Sequence, residues 1–365
     1  MISRRDFIRQ SSLAGIAVCA APGSVSFIRE QPDFSFESAF LKVRLQRNAP
    51  AFSFFSTDSL GGRTFPVSPL LANKGPDSGG VQQALPVYES RVQGSRISYY
   101  LNNDDKLPAW ECIMEERQFI LRTAWKEGMA ASPFTFLFSQ PANHCTVLGE
   151  MTGEKEMKFP CLLHLPGMGT FRIYASQPDL RFLYDADRNV KEPFIQISLP
   201  PADRRHPVID YRFESAAIFP EIGKIKGDPR FDGFRKNYIN IFQVNPRIRA
   251  LANNSASDAC AFTLFLYAAM ARHTPALVGD LTAMHLVRDT LDRYLGDMKA
   301  YGQLGYAGWN SEFDSSDSFP SLIISACYYI QDTRDLDWAR KNYPGIRAWA
   351  KKVMSTDTRI GRAHV

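Results

Sequence analysis

The chain has 365 residues, of which 45% are hydrophobic, and a formal net charge of +5. This length is sufficient for two domains with sizeable apolar cores. Its 43 lysines and arginines are spread along the sequence rather than clustered. A nucleic-acid-binding surface needs such clustering, so we predict no nucleic-acid partner.

The first 27 residues resemble a twin-arginine export signal. Arg4 and Arg5 precede a weakly apolar run over residues 13–21, as such signals require. The run is too short to cross a bilayer, so we predict cleavage near Ala20 and no membrane span in the mature chain. The protein is then periplasmic or extracellular, with the twin-arginine translocase as its partner during export. A lipid anchor at Cys19 is the alternative.

Residues 28–219 are predicted to form a β-sandwich domain. Short runs of aromatic and β-branched residues alternate with polar neighbours, and Pro, Gly and Asn turn signals separate them. Many strands without intervening helices are typical of a sandwich. The runs that carry this prediction are 97–101, 112–125, 134–138, 161–165, 171–174, 194–199 and 209–213.

Residues 220–245 are predicted to be an ordered linker, because they carry more aromatic residues than a free tether would. After Asn245 the apolar period becomes helical. We predict that Ser257 or Asp258 caps the first helix and that Pro344 splits or kinks the last. The predicted helices are 258–272, 277–299, 322–330 and 336–354.

These helices pair into hairpins whose connections alternate between short and long. This alternation suggests a toroid of antiparallel helix pairs, with the long loops gathered on one face. Two hairpins would leave apolar helix faces without a neighbour, so residues 246–359 are expected to be the first part of a larger helical domain. Residues 360–365 resemble the translation of a sequencing adapter and are expected to be a non-native tail after a C-terminal truncation; a genuine polar tail is the alternative.

Metal and cofactor motifs are not found in the sequence. Apart from Cys19, the five cysteines lack the close spacing of a disulfide framework or a CxxC metal site, so buried free thiols are predicted. The histidines show no HExxH spacing. We therefore predict no metal and no cofactor.

One loop combines the groups that a carbohydrate subsite needs. Trp309 offers an aromatic face and Asn310 a neutral hydrogen-bonding group, while Glu312, Asp314 and Asp317 supply carboxyl groups for acid chemistry. The alternative is that the acids and serines of this loop cap the following helix.

Asn253 and Asn254 precede the first predicted helix and are further candidates for binding sugar hydroxyls. A turn or a helix cap is again the alternative for these two residues.

These features resemble the six-hairpin glycosidases, especially the group around processing α-glucosidase I and its bacterial relatives. The likeness rests on the β-sandwich, on the segment 245–255 and on the Trp309–Leu322 loop. It implies an (α/α)6 barrel that hydrolyses the glycosidic bonds of an oligo- or polysaccharide with inversion. The fold expected is therefore β followed by α: a β-sandwich and the incomplete first part of an (α/α)6 toroid.

The sequence departs from that family in two respects. No acid occurs in residues 304–308, just before Trp309, so the acid role passes to Asp317 first, then Asp314 or Glu312. A position at the positive end of a helix would lower the pKa of Asp317, which suits a sugar-binding carboxylate better than a proton donor. The resemblance also places the general base beyond residue 359, so the chain as written is predicted to be inactive.

Two other functions fit the same architecture. A non-catalytic carbohydrate-binding surface protein would explain the missing acid before Trp309. A polysaccharide lyase would use Tyr and His, and no His lies near the Trp309 loop, which disfavours a lyase.

Overall fold

A β-rich region is followed by helices in the computed structural model of the protein. The structure describes residues 32–65, 68, 70–74, 87–103, 105–127, 133–139, 146–153, 155–187, 194–218, 228–245, 250–251, 263–296 and 318–355. The chain from Asp33 onward forms one compact unit. We call residues 33–218 the β region and residues 228–355 the helical region.

The strands are β1 Phe34–Glu37, β2 Leu41–Leu45, β3 Phe52–Thr57, β4 Leu70–Lys74, β5 Glu89–Gln93, β6 Arg96–Tyr100, β7 Trp110–Met114, β8 Gln118–Ala124, β9 Phe134–Ser139, β10 Thr146–Leu148, β11 Glu156–Lys158, β12 Cys161–Leu165, β13 Gly169–Ala175, β14 Arg181–Asp187, β15 Phe194–Leu199, β16 Val208–Ala216, β17 Val244–Asn245 and β18 Ala250–Leu251. The predicted runs 134–138, 161–165 and 194–199 each coincide with a strand. The run 112–125 is instead a hairpin of β7 and β8.

Antiparallel sheets enclose one apolar core in the β region. Within the described residues the largest sheet has the order β10-β12-β13-β16-β8-β7-β6-β5, and the second has the order β11-β14-β15-β9-β4; β1, β2 and β3 form a third. Side chains from all three enter one buried cluster. The cluster is rich in aromatic rings, and Phe119 of β8 stacks on Phe213 of β16 with ring centroids 4.5 Å apart. Cys112 and Cys161 are buried free thiols as predicted, whereas Cys327 is exposed.

The strand β12 is buried on both faces, because the helical region covers the second face of the largest sheet. Cys161, Leu163 and Leu165 enter the core between the sheets. Leu162, on the opposite face, joins an apolar cluster formed mainly by the helices. The two regions therefore share buried apolar surface, which is the main source of stabilising free energy in such contacts.

The helices are α1 Pro229–Asn237, α2 Leu264–Ala271, α3 Ala283–Gly296, α4 Ser318–Thr333 and α5 Leu336–Ser355. None of these helices, within the part of the chain that is described, combines the length and apolarity needed to cross a membrane.

Helical structure begins earlier than predicted, because α1 lies inside the expected linker. The Asp228 side chain accepts a hydrogen bond from the backbone N–H of Arg230, and Pro229 occupies the first turn. A capping carboxylate followed by proline is a strong helix start. The expectation that helices appear only after Asn245 was wrong because the glycines and charges around this short helix masked its period.

The helix α2 runs over Leu264–Ala271 after Thr263, and Ser257 and Asp258, which were predicted to cap it, lie outside the described residues. Leu264 and Ala268 are buried, while Leu266 is 50% exposed. The helix is apolar on nearly every side, and periodicity cannot identify the buried face of such a helix.

The helix α3 begins at Ala283 and not at Leu277, because a tight turn precedes it. The backbone N–H of Leu277 donates to the carbonyl of Leu281 at 2.8 Å, and Gly279 between them has φ of +53°, a conformation that favours glycine. Pro344 does not split the last helix, since α5 runs through it as one element. Trp338 and Trp349 are buried on either side of this proline and hold both halves against the same core.

Candidate functional site

The residues predicted from the sequence to form the site lie outside the described residues. They are the candidate acids Glu312, Asp314 and Asp317, the sugar-binding candidates Trp309 and Asn310, and the amides Asn253 and Asn254. The structure instead describes the helix starts into which these two segments lead.

The helices α2 and α4 run in the same direction and begin side by side. The backbone N–H of Phe265, in the first turn of α2, donates to Oγ of Ser321, in the first turn of α4, at 3.1 Å. At the other end, Nε of Arg272 lies 3.0 Å from Asp332. Residues 252–262 lead into α2 and residues 297–317 lead into α4. The two helices that follow the predicted sugar-binding segments in the sequence therefore begin at the same end of the helical region.

Two other connections lie at the opposite end. Residues 272–282 join α2 to α3, and residues 334–335 join α4 to α5. The described helices thus form two hairpins, α2 with α3 and α4 with α5. The connection from α3 to α4, over residues 297–317, is longer than either of these.

A cleft of about 200 Å³ lies between the β region and the start of α3. The β region contributes Glu150, Lys158 and Phe159, and the helical region contributes Asp280, His285 and Asp289. Sequence reasoning did not predict this site. Two features of the sequence could have indicated it. One is the spacing of Thr282 and His285 at a helix start, and the other is the charged pair Arg288 and Asp289 beside the apolar residues of α3.

His285 caps the helix α3 in its neutral form. Its Nδ1 accepts from the backbone N–H of Thr282 at 3.1 Å, and lies 3.0 Å from the Thr282 hydroxyl. Because Nδ1 accepts a hydrogen bond from an N–H group, the proton of the neutral ring resides on Nε2. Burial, and then the nearby Arg288 guanidinium, lower the pKa of His285. At neutral pH the ring therefore offers an Nε2–H donor.

Asp289 is a half-buried carboxyl group with an unusual environment. Burial raises the pKa of Asp289, the adjacent Arg288 opposes that rise, and the charges of Asp292 and Glu150 add to it. Nε and Nη2 of Arg288 both reach Oδ1 of Asp289, at 3.4 and 3.1 Å. Within the described part of the chain, Oδ2 of Asp289 has no hydrogen-bond partner.

His164 is a second buried polar feature, on the face of β12 that the helices cover. It is fully buried, and it faces Thr146 of β10 and Thr170 of β13 across the sheet. Neither ring nitrogen has a hydrogen-bond partner among the described residues. Burial lowers the pKa of His164 to about 3. The ring is thus a neutral packing group that strongly resists protonation.

We expect His164 to make the fold sensitive to acid. Its pKa is about 3 in the folded state and 6.5 as a model value, so below pH 6.5 the unfolded chain binds the proton more readily. Its contribution to stability is complete above pH 6.5 and is lost as the pH falls toward 3. Between pH 7.5 and 5 that loss is about 2 kcal/mol. Urea unfolding at both pH values should show this loss in the wild type and not in His164→Leu.

The same substitution at the exposed His273 is the matched control and should leave the pH dependence unchanged. An equal loss of stability in wild type and His164→Leu would contradict this account of the buried ring.

Metal coordination finds no support among the described residues, because no three His, Cys, Asp or Glu side chains there are grouped to hold an ion. The arrangement that is described consists of a β region with an aromatic core, two helical hairpins packed on one of its sheets, and a charged cleft between them.

Two glycoside hydrolases are among the solved structures that the chain is similar to. No family model and no curated protein matches the chain. A family GH92 inverting mannosidase from Bacteroides thetaiotaomicron is 9% identical with a TM-score of 0.30, over 85% of this chain and 60% of the mannosidase. A GH92 family glycosyl hydrolase, ccman5, is 11% identical with a TM-score of 0.27, over 88% of this chain and 61% of the hydrolase.

The chain therefore spans about three fifths of the length of these two glycoside hydrolases. Backbones that agree only to this extent need not share a fold throughout. The similarity to these two enzymes therefore does not assign either enzyme's activity to this chain.

Proposed function

We propose that the protein is an exported glycoside hydrolase of the six-hairpin type, which cleaves an oligo- or polysaccharide with inversion. In this proposal Asp317 is the general acid, with Asp314 and then Glu312 as the next candidates. Trp309 and Asn310 bind the sugar, together with Asn253 and Asn254. The signal-like residues 1–27 direct export to the periplasm or the cell exterior.

The observation that carries this proposal is the contact between Phe265 and Ser321 at the starts of α2 and α4. It brings together the helix ends that follow the two candidate sugar-binding segments. Hydrolysis requires groups from separate segments to meet around one bond, because an acid must reach the leaving oxygen while other groups hold the ring. The shared position of these two helix starts supports the proposal that the two segments meet.

Inverting hydrolysis also needs a second carboxylate, about 6.5–9.5 Å from the acid, to activate a water molecule. The family resemblance assigns that group to a later loop of the helical domain. We therefore assign the role of general base to no described residue. We also propose that the helical hairpins close into an (α/α)6 toroid.

The second candidate function is carbohydrate binding without catalysis. The observation that favours it is the lack of any acid in residues 304–308, directly before Trp309. The same aromatic and amide groups could then hold a glycan at the cell surface without cleaving it.

Incubating the product of the complete gene with a panel of oligosaccharides separates these functions. The hydrolase proposal predicts new reducing ends without ultraviolet absorbance. Retention of a glycan without any cleavage would favour the binding protein. Unsaturated products that absorb in the ultraviolet would overturn both proposals in favour of a lyase.

A further inference from the structure

We propose that the cleft between the β region and α3 binds a single neutral sugar ring, at a site separate from the Trp309 loop. The cleft lies beside the first two turns of α3, whereas the loop follows the last turn of this helix, which ends at Gly296. This proposal does not depend on the proposed hydrolysis, because it rests only on residues that line the cleft.

The charges of the cleft favour a neutral ligand. Lys158 pairs with Glu150, and Arg288 pairs with Asp289. Asp280, which is exposed in the turn before α3, has no ion pair within the described residues. Among the described residues that line it, the cleft therefore has a slight excess of negative charge and no cation without an ion-pair partner, so a phosphate or uronate would meet repulsion. A metal ion is disfavoured too, because the described acids are not grouped to hold one.

Hydrogen-bond donors and acceptors are both found among the residues that line the cleft. Thr282 occupies Nδ1 of His285 and leaves its Nε2–H able to donate. Arg288 occupies Oδ1 of Asp289 and leaves its Oδ2 able to accept, and the Asp280 carboxylate is a further acceptor in the lining. Sugar hydroxyls donate and accept at once, so adjacent hydroxyls of one ring can satisfy all three groups.

An apolar wall completes the site. Phe159 and Pro160 of the β region, and Val278 and Leu281 of the turn before α3, supply the apolar part of the cleft lining. A sugar ring has an apolar face of C–H groups, and such a wall removes that face from water. The volume of about 200 Å³ is smaller than the clefts of about 300–1,000 Å³ that hold drug-sized ligands, which suits one ring and not a longer glycan.

Ligand-observed NMR titration of the complete protein with methyl glycosides of glucose, mannose and galactose, and with glucuronate, tests this proposal. We expect millimolar binding of at least one neutral glycoside and weaker binding of glucuronate. Asp289→Asn and Asp280→Ala should each weaken binding about 10-fold, since each removes a charged acceptor. Asp280 is exposed, so its variant tests the site even if Asp289→Asn fails to fold.

Asp337→Asn, at a side chain that is 95% exposed, is the matched control and should bind normally. Asp317→Asn tests whether a bound glycoside lies at the Trp309 loop instead of the cleft. The proposal is overturned if no neutral glycoside binds or if glucuronate binds better than the neutral glycosides. It is also overturned if Asp317→Asn weakens glycoside binding while Asp289→Asn and Asp280→Ala do not. If the complete protein binds a glycoside in the cleft but hydrolyses no oligosaccharide, that result would count against the proposed function alone.

Discussion

Replacing Lys236 by methionine is expected to destabilise the fold by about 3–5 kcal/mol, the usual cost of removing one partner from a buried ion pair. Lys236, in the last turn of α1, lies 2.9 Å from Oδ1 of Asp58, and these side chains are only 11% and 1% exposed. Burial alone would raise the pKa of Asp58, but hydrogen bonds from Lys236, Thr64 and Leu60 outweigh it and lower that pKa. Without the ammonium group, the buried carboxylate loses its charge partner.

Lys155→Met is the matched control, because it also removes a lysine 2.8 Å from an aspartate, Asp185. These side chains are 52% and 39% exposed, so water screens the pair and the expected loss is below about 1 kcal/mol. Urea denaturation measures both variants. Adding Asp58→Asn to Lys236→Met should recover part of the lost stability, because it removes the unpaired charge. Equal effects of the two lysine substitutions would contradict the assignment of a buried pair.

Asp317→Asn is expected to lower kcat by about 100–10,000-fold, which is the usual contribution of general acid catalysis. The variant keeps the shape of the side chain and removes its proton. If Asp317 is the acid, the alkaline limb of the pH profile for kcat should disappear with it. Steady-state hydrolysis by the product of the complete gene, followed across the pH range, gives both quantities.

The control for this prediction is again the exposed Asp337→Asn, which should leave kcat and KM unchanged. Asp314→Asn should have a smaller effect than Asp317→Asn. A raised KM with unchanged kcat for Asp317→Asn would show a sugar-binding carboxylate, as its position before α4 suggests, and would contradict its role as the acid.

The order of β-rich and helical regions could be predicted from sequence because each has its own apolar period. Apolar and polar residues alternate in strands such as β9 and β15, whereas the buried residues Met284, Val287 and Leu291 of α3 recur at helical spacing. Helix starts were harder to predict. The turn before α3 continues the apolar residues of that helix, and only its backbone hydrogen bonds and Gly279 separate the two.

The cleft could not be predicted because its residues come from distant parts of the sequence. Glu150 and Phe159 reach His285 and Asp289 only when the helical region packs on β12. Asp289 also resembles an ordinary surface acid in the sequence, since it sits beside Arg288 in a charged stretch of α3. Burial, which raises its pKa, depends on tertiary packing. The Trp309 loop could be proposed from the sequence because its candidate groups are concentrated in one short segment.

The most direct test of the proposed function is proton NMR of the first sugar released from a cleaved oligosaccharide, recorded before the two anomers equilibrate. An inverting glycoside hydrolase predicts that the released sugar has the anomeric configuration opposite to that of the cleaved bond. A sugar with the original configuration, or the absence of any released sugar across the panel, would contradict it.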